Sequence, residues 1–136
     1  MGHLPAERLR CVVMLGPPNG GSELAHVLPA LPLLGSFYRW ATGPAGTELG
    51  TGPAGLIPQL PPVPFELGVI AGTRSLNPDF NAILRGPNDG KVRVDRTRVA
   101  GMRDLLVVPH WHPTLMRSPA VIEQTIAFLE TGTFRP

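Results

Sequence analysis

The stretch Asp104-Leu105-Leu106-Val107-Val108-Pro109-His110-Trp111-His112-Pro113 decides how the rest of this chain is read. An apolar run containing two β-branched residues stops at a proline and opens into a turn with two histidines. That pattern predicts a buried strand delivering histidine to the end of a sheet. In open α/β sheets ligands bind outside the carboxyl ends of the strands, so a histidine placed there is a candidate general base. Whatever it works with must come from upstream, because only a helix and a tail follow. That helix is well marked: Ser118 caps it, Pro119 suits its first position, and Val121, Ile122, Ile126 and Leu129 recur at helical spacing up to Gly132.

Upstream, Arg10-Cys11-Val12-Val13-Met14-Leu15 predicts a first buried strand, cut off by Gly16-Pro17-Pro18-Asn19-Gly20-Gly21. Ser22 then caps a short helix with Glu23 in its first turn and Leu24, Val27 and Leu28 on its apolar side, ending before Pro29. Phe65-Glu66-Leu67-Gly68-Val69-Ile70-Ala71-Gly72 predicts the second strand, with Gly68 admitting a close neighbour. A loop or irregular helix through Phe80, Ile83 and Leu84 follows. Lys91 to Val94 alternates like a short strand or extended segment, and Thr97 to Met102 suits a brief helix. Strands alternating with helices imply parallel pairing through right-handed crossovers, with helices on the faces and all strand ends on one edge. The expected fold is α/β: a small parallel sheet of three strands with flanking helices and a long Pro/Gly-rich loop.

That loop holds much of the chain's 17 prolines and 16 glycines, which are concentrated between Gly16 and Pro64. Prolines remove backbone donors and bias the preceding residue away from helix, so Pro29 to Pro64 is read as an irregular covering segment. Within it Thr42-Gly43-Pro44-Ala45-Gly46 recurs as Thr51-Gly52-Pro53-Ala54-Gly55, a period too short for a solenoid unit. Phe37, Tyr38 and Trp40 are expected to pin the loop to the body.

At 136 residues with 43% hydrophobic content, one domain with a packed core is expected over residues 1–136. A net charge of +2 with scattered basic residues gives no nucleic-acid footprint. The single Cys11 lies in an apolar strand, reads as a small core residue, and excludes disulfide scaffolding within the chain. No apolar segment is long enough to span a bilayer and no signal-peptide region opens the chain, so a cytoplasmic location is expected.

The polar residues fall by strand end: Ser22 after the first, Asp89 beyond the second, His110 and His112 after the third. A nucleophile, a carboxylate and a histidine in that chain order are the parts of a hydrolytic triad. Serine needs a base to take its proton, histidine is that base near neutral pH, and the carboxylate fixes the tautomer. Each residue also has a structural reading: Ser22 as a helix cap, Asp89 as part of an Asn-Asp-Gly turn, His112 as a loop histidine bonded to backbone. Alternate positions of an extended segment face one way, so His110 and His112 also suggest a metal pair. No third ligand is evident beyond His26 or Asp89, and neither a metal nor a cofactor is expected.

Taken together, these segments resemble bacterial α/β-hydrolase lipases and esterases. Cys11 to Glu23 is similar to their strand running into a Pro-Asn-x-Gly-Ser-Glu turn, and Phe65 to Arg74 to the next strand. Asn88-Asp89-Gly90-Lys91-Val92 resembles their acid loop, and His112-Pro113-Thr114-Leu115-Met116 their catalytic-histidine turn. The resemblance covers nearly the whole chain but only the carboxyl-terminal half of the family's domain, which implies a single truncated domain. It implies Asp89 as triad acid and His112 as base. The family's Gly-x-Ser-x-Gly is absent, as are its upstream His-Gly segment and the strands that pair beside Cys11 to Leu15.

Ser22 follows Gly20-Gly21 on a strand-turn-helix element, partly like a nucleophile elbow but with Leu24 where the second glycine would stand, and is the candidate nucleophile. A three-strand remnant leaves an apolar sheet edge open, so a homodimer or higher oligomer through that edge is expected. The resemblance implies a small esterase or lipase acting on short-chain carboxylic esters by serine acyl transfer. The alternative is a catalytically inactive hydrolase fragment serving as an oligomerising or interaction module.

Overall fold

The computed structural model describes residues 9–32, 35, 36, 40, 43, 48, 49, 62–76 and 78–136. Three strands, β1 (Cys11–Leu15), β2 (Glu66–Gly72) and β3 (Asp104–Val108), form one sheet in the order β1-β2-β3, parallel throughout. Their carboxyl ends share one edge, as the alternation of elements predicts. β2 has a neighbour on each side, and its Leu67, Val69, Ile70 and Ala71 are fully buried, whereas β1 is half-buried along its length. A strand covered on both edges and both faces reads as a continuous apolar run, and Leu-Gly-Val-Ile-Ala is one.

Register assigns the faces. Val13 pairs with Gly68, Leu15 with Ile70, and Ile70 with Leu106, so these side chains share one side of the sheet. The last helix, α4 (Pro119–Thr131), lies across that side. Its Val121 joins Ile70 and Leu115 in a buried cluster flanked by Val13, Leu15, Leu106, Val108 and Phe134. Phe128 rests on Gly68, where an added Cβ would come within 2.7 Å of the ring. The expected close neighbour of that glycine is therefore an aromatic side chain.

The ends of α4 follow the sequence signals. Ser118 Oγ accepts from the Val121 amide, Pro119 opens the helix, and Gly132 closes it in the left-handed conformation at φ 78° while donating to the Phe128 carbonyl. The Cys11 thiol donates to that same carbonyl at 3.4 Å. Burial, and secondarily the Glu66 carboxylate, push its pKa above the ordinary thiol value, so it stays protonated near neutral pH.

Shorter helices with described bounds are α1 (Glu23–Val27), α2 (Pro78–Leu84) and α3 (His112–Leu115). α1 stops before Pro29, as expected, and a separate 3-10 turn over Leu28–Ala30 follows it, because proline's fixed φ suits the start of such a turn and its missing donor is not needed there. The expected helix over Thr97 to Met102 is displaced upstream: a 3-10 helix occupies Val94–Thr97 and ends where Arg98 turns extended. Lys91 to Val94 forms no strand, only an isolated bridge between Asn88 and Arg93. Trp40, expected to help pin the loop, is 81% exposed. Phe37, Tyr38 and most of the short repeat lie outside the described residues.

Candidate active site

The acid loop is built before its carboxylate is used. Asn88 Oδ1 accepts from Gly90 N at 2.9 Å, closing an Asx-turn, and Gly90 takes φ 92°, which glycine adopts readily. Asp89 continues the pattern, with Oδ1 accepting from the amides of Lys91 at 3.0 Å and Val92 at 2.8 Å. One carboxylate oxygen is thereby fixed by backbone, which leaves Oδ2 for another partner.

That partner is His112. Its Nδ1 lies 2.8 Å from Asp89 Oδ2, and its own amide donates to the Asp89 carbonyl at 2.9 Å. Asp89 is 1% exposed and the imidazole is 26% exposed, so the carboxylate sits behind the ring, shielded from water. A carboxylate can only accept, so this contact puts the imidazole proton on Nδ1 and leaves Nε2 with a lone pair. Among the described residues Nε2 makes no hydrogen bond.

The acid loop is also latched to the turn after β1. Gly20 N donates to Arg96 O at 2.6 Å, the Arg96 guanidinium returns to Gly20 O at 3.2 Å and to Glu23 Oε1 at 3.0 Å, and Asn19 Nδ2 donates to Thr97 O at 2.9 Å. These bonds hold the Asp89 loop over the edge where the strands end.

Ser22 lies in the same latch. Its hydroxyl accepts from Ala25 N at 3.4 Å as the α1 cap and donates to Lys91 O at 3.3 Å, two residues beyond Asp89, and the residue is 9% exposed. No hydrogen bond joins Ser22 to His112. β2 lies between β1 and β3, so the serine and histidine start two strand spacings apart, about 9.6 Å at about 4.8 Å each.

The two histidines part company. His110 Nε2 lies 3.1 Å from Ser118 Oγ, tying the histidine turn to the start of α4, while His112 turns to Asp89. No group of three or more metal-ligating side chains gathers among the described residues. The His110–Ser118 contact and the Arg96 latch were not read from sequence, since neither has a local spacing that marks it. A small apolar hollow of about 160 Å³ lies beside the acid loop, lined by residues that include Leu76, Trp111 and Pro113.

The chain is similar to the lipase BlEst2 of Bacillus licheniformis. Against the propeptide form the TM-score is 0.69 at 19% identity, covering 96% of this chain and 31% of that one. Against the mature form the values are 0.64 and 18%, covering 95% and 57%. The chain has the fold of part of a lipase. It spans less than two thirds of the length of either form of BlEst2. No protein-family model matches the sequence, and no curated protein matches it. The parallel order β1-β2-β3 with α4 across one face is thus a lipase-fold arrangement, and the Asp89–His112 pair sits at the carboxyl ends of its strands.

Proposed function

We propose that this protein is a carboxylic ester hydrolase acting on short-chain esters by acyl transfer to a serine, with His112 as base and then acid and Asp89 as its orienter. The observation that carries this reading is the 2.8 Å contact between His112 Nδ1 and a buried Asp89 carboxylate whose other oxygen is held by two backbone amides. Nε2 of His112 takes the proton from the serine hydroxyl as the Oγ–carbonyl carbon bond forms. The imidazolium then returns that proton to the departing alkoxide. Water repeats the cycle on the acyl-enzyme and releases the acid. Asp89 keeps its charge throughout and stabilises the imidazolium.

The serine in this reading is Ser22. To react, its hydroxyl must leave Lys91 O and approach Nε2. The test is hydrolysis of a short-chain nitrophenyl ester by purified protein beside Ser22→Ala. Turnover by the parent that disappears in the variant supports the scheme, and turnover retained by Ser22→Ala removes Ser22 from it. A parent that hydrolyses nothing sinks the enzymatic reading and leaves the interaction module.

The same proposal includes self-association. Among the described residues β1 has a neighbour on one side only, and Cys11 to Leu15 are half-buried, so its outer edge offers unpaired backbone groups to a second copy. Multi-angle light scattering is expected to give at least twice the 14.6 kDa chain mass. A monomer at micromolar concentrations would discard this part.

A further inference from the structure

We infer that Gly16 is a positioning residue of this site: the side chain it lacks is the space in which the Asp89–His112 hydrogen bond forms. A Cβ built on Gly16 would come 2.8 Å from Asp89 Oδ2, 2.9 Å from His112 Nδ1 and 3.1 Å from His112 Cε1. The first two atoms are the acceptor and donor of the 2.8 Å bond. A methyl group there would touch both ends of the bond at once, so it cannot be accommodated by turning either side chain slightly.

The backbone around Gly16 is not free to retreat. Gly16 N donates to Ile70 O at 2.8 Å, which continues the β1–β2 pairing one residue past the strand. Its φ of 55° lies in the left-handed region that favours glycine. On the adjacent strand Gly72 makes a second wall of the same kind, where a Cβ would meet the His110 carbonyl oxygen at 2.3 Å and Asp89 Cβ at 2.8 Å. Strand ends without side chains thus let the acid loop and the histidine turn settle directly onto sheet backbone. The role in catalysis rests on the ester-hydrolase reading, but the role in forming the pair does not.

The test separates the two. Gly16→Ala is compared with Gly43→Ala, since Gly43 has a similar φ of 61° but, among the described residues, nothing within 4 Å of its added Cβ. Both variants bear the left-handed backbone penalty, and only the first intrudes on the pair. The primary readout is the proton spectrum in water, where the Nδ1–H of His112, assigned by its loss in His112→Ala, gives a downfield resonance. That resonance is expected in the parent and in Gly43→Ala and lost in Gly16→Ala. In the ester assay, Gly16→Ala is expected to lower kcat about 100-fold, the scale of an ångström-level misplacement of a catalytic group.

If Gly16→Ala folds poorly, its effect on the unfolding midpoint is measured again in a His112→Ala background. A smaller shift there, where the ring has been removed, supports the inference. A retained Nδ1–H resonance in Gly16→Ala, or an equal midpoint shift in both backgrounds, overturns it. An inactive parent leaves these readouts intact and rejects only the hydrolase reading.

Discussion

Asp89→Asn is expected to lower kcat for ester hydrolysis by about four orders of magnitude, the loss seen when a triad carboxylate becomes an amide. The reason lies in how the two carboxylate oxygens divide their work. Oδ1 accepts from the amides of Lys91 and Val92, so the amide oxygen of asparagine must take that place, because an NH2 group cannot accept. The NH2 then faces His112 Nδ1 and donates to it. Imidazole responds by carrying its proton on Nε2, where it cannot act as a base. His112→Ala should lose activity to the same extent, and the pair should not be additive when combined. Steady-state kinetics on the two single variants and the double variant decide the matter. Independent, multiplying losses would show that the residues do not act as a unit.

Phe128→Ala carries the largest expected cost in stability, about 3–5 kcal/mol in urea unfolding. The ring is fully buried, lies 4.8 Å between centroids from Phe134 at a tilt of 39°, and covers Gly68 at the centre of the sheet. Small domains are held together by about 5–15 kcal/mol in all, so this change removes a large part of the total. Gly68→Ala alone should cost about 1–3 kcal/mol by overpacking, since its methyl would lie 2.7 Å from the ring. Combined with Phe128→Ala the same methyl enters vacated space and its cost should shrink. Additive losses in this cycle would mean that the ring does not rest on the glycine.

How much of this was legible beforehand follows from which signals are local. Strand edges at Leu15, Gly72 and Val108 are set by Gly16, Thr73 and Pro109, and periodicity marked them to within a residue. The caps at Ser22, Ser118 and Gly132 are equally local. The Asn88-Asp89-Gly90 turn was readable for the same reason, whereas its pairing with His112 came from chain order and family likeness. Strand order was not readable, since the pattern of apolar residues says that a strand is buried but not beside which neighbours. For the same reason the role of Gly16 was hidden. A Gly-Pro-Pro run announces a turn, and only the folded chain shows what presses against the glycine. The helix expected over Thr97 to Met102 failed because Gly101, at φ 88°, and the extended Arg98 take up a backbone that propensity alone does not foresee.

The latch between the turn after β1 and the loop after Asp89 has a consequence for how this protein folds. Its bonds join positions 76 and 78 residues apart, Gly20 to Arg96 and Asn19 to Thr97. Every such closure costs chain entropy that is recovered only when both ends are already in place. The acid loop can close its own turn locally, but these long-range bonds fix its place over the sheet edge only once the turn after β1 is in position. The acid–base geometry thus depends on contacts drawn from both ends of the chain, a property of the assembled sheet and not of any one segment.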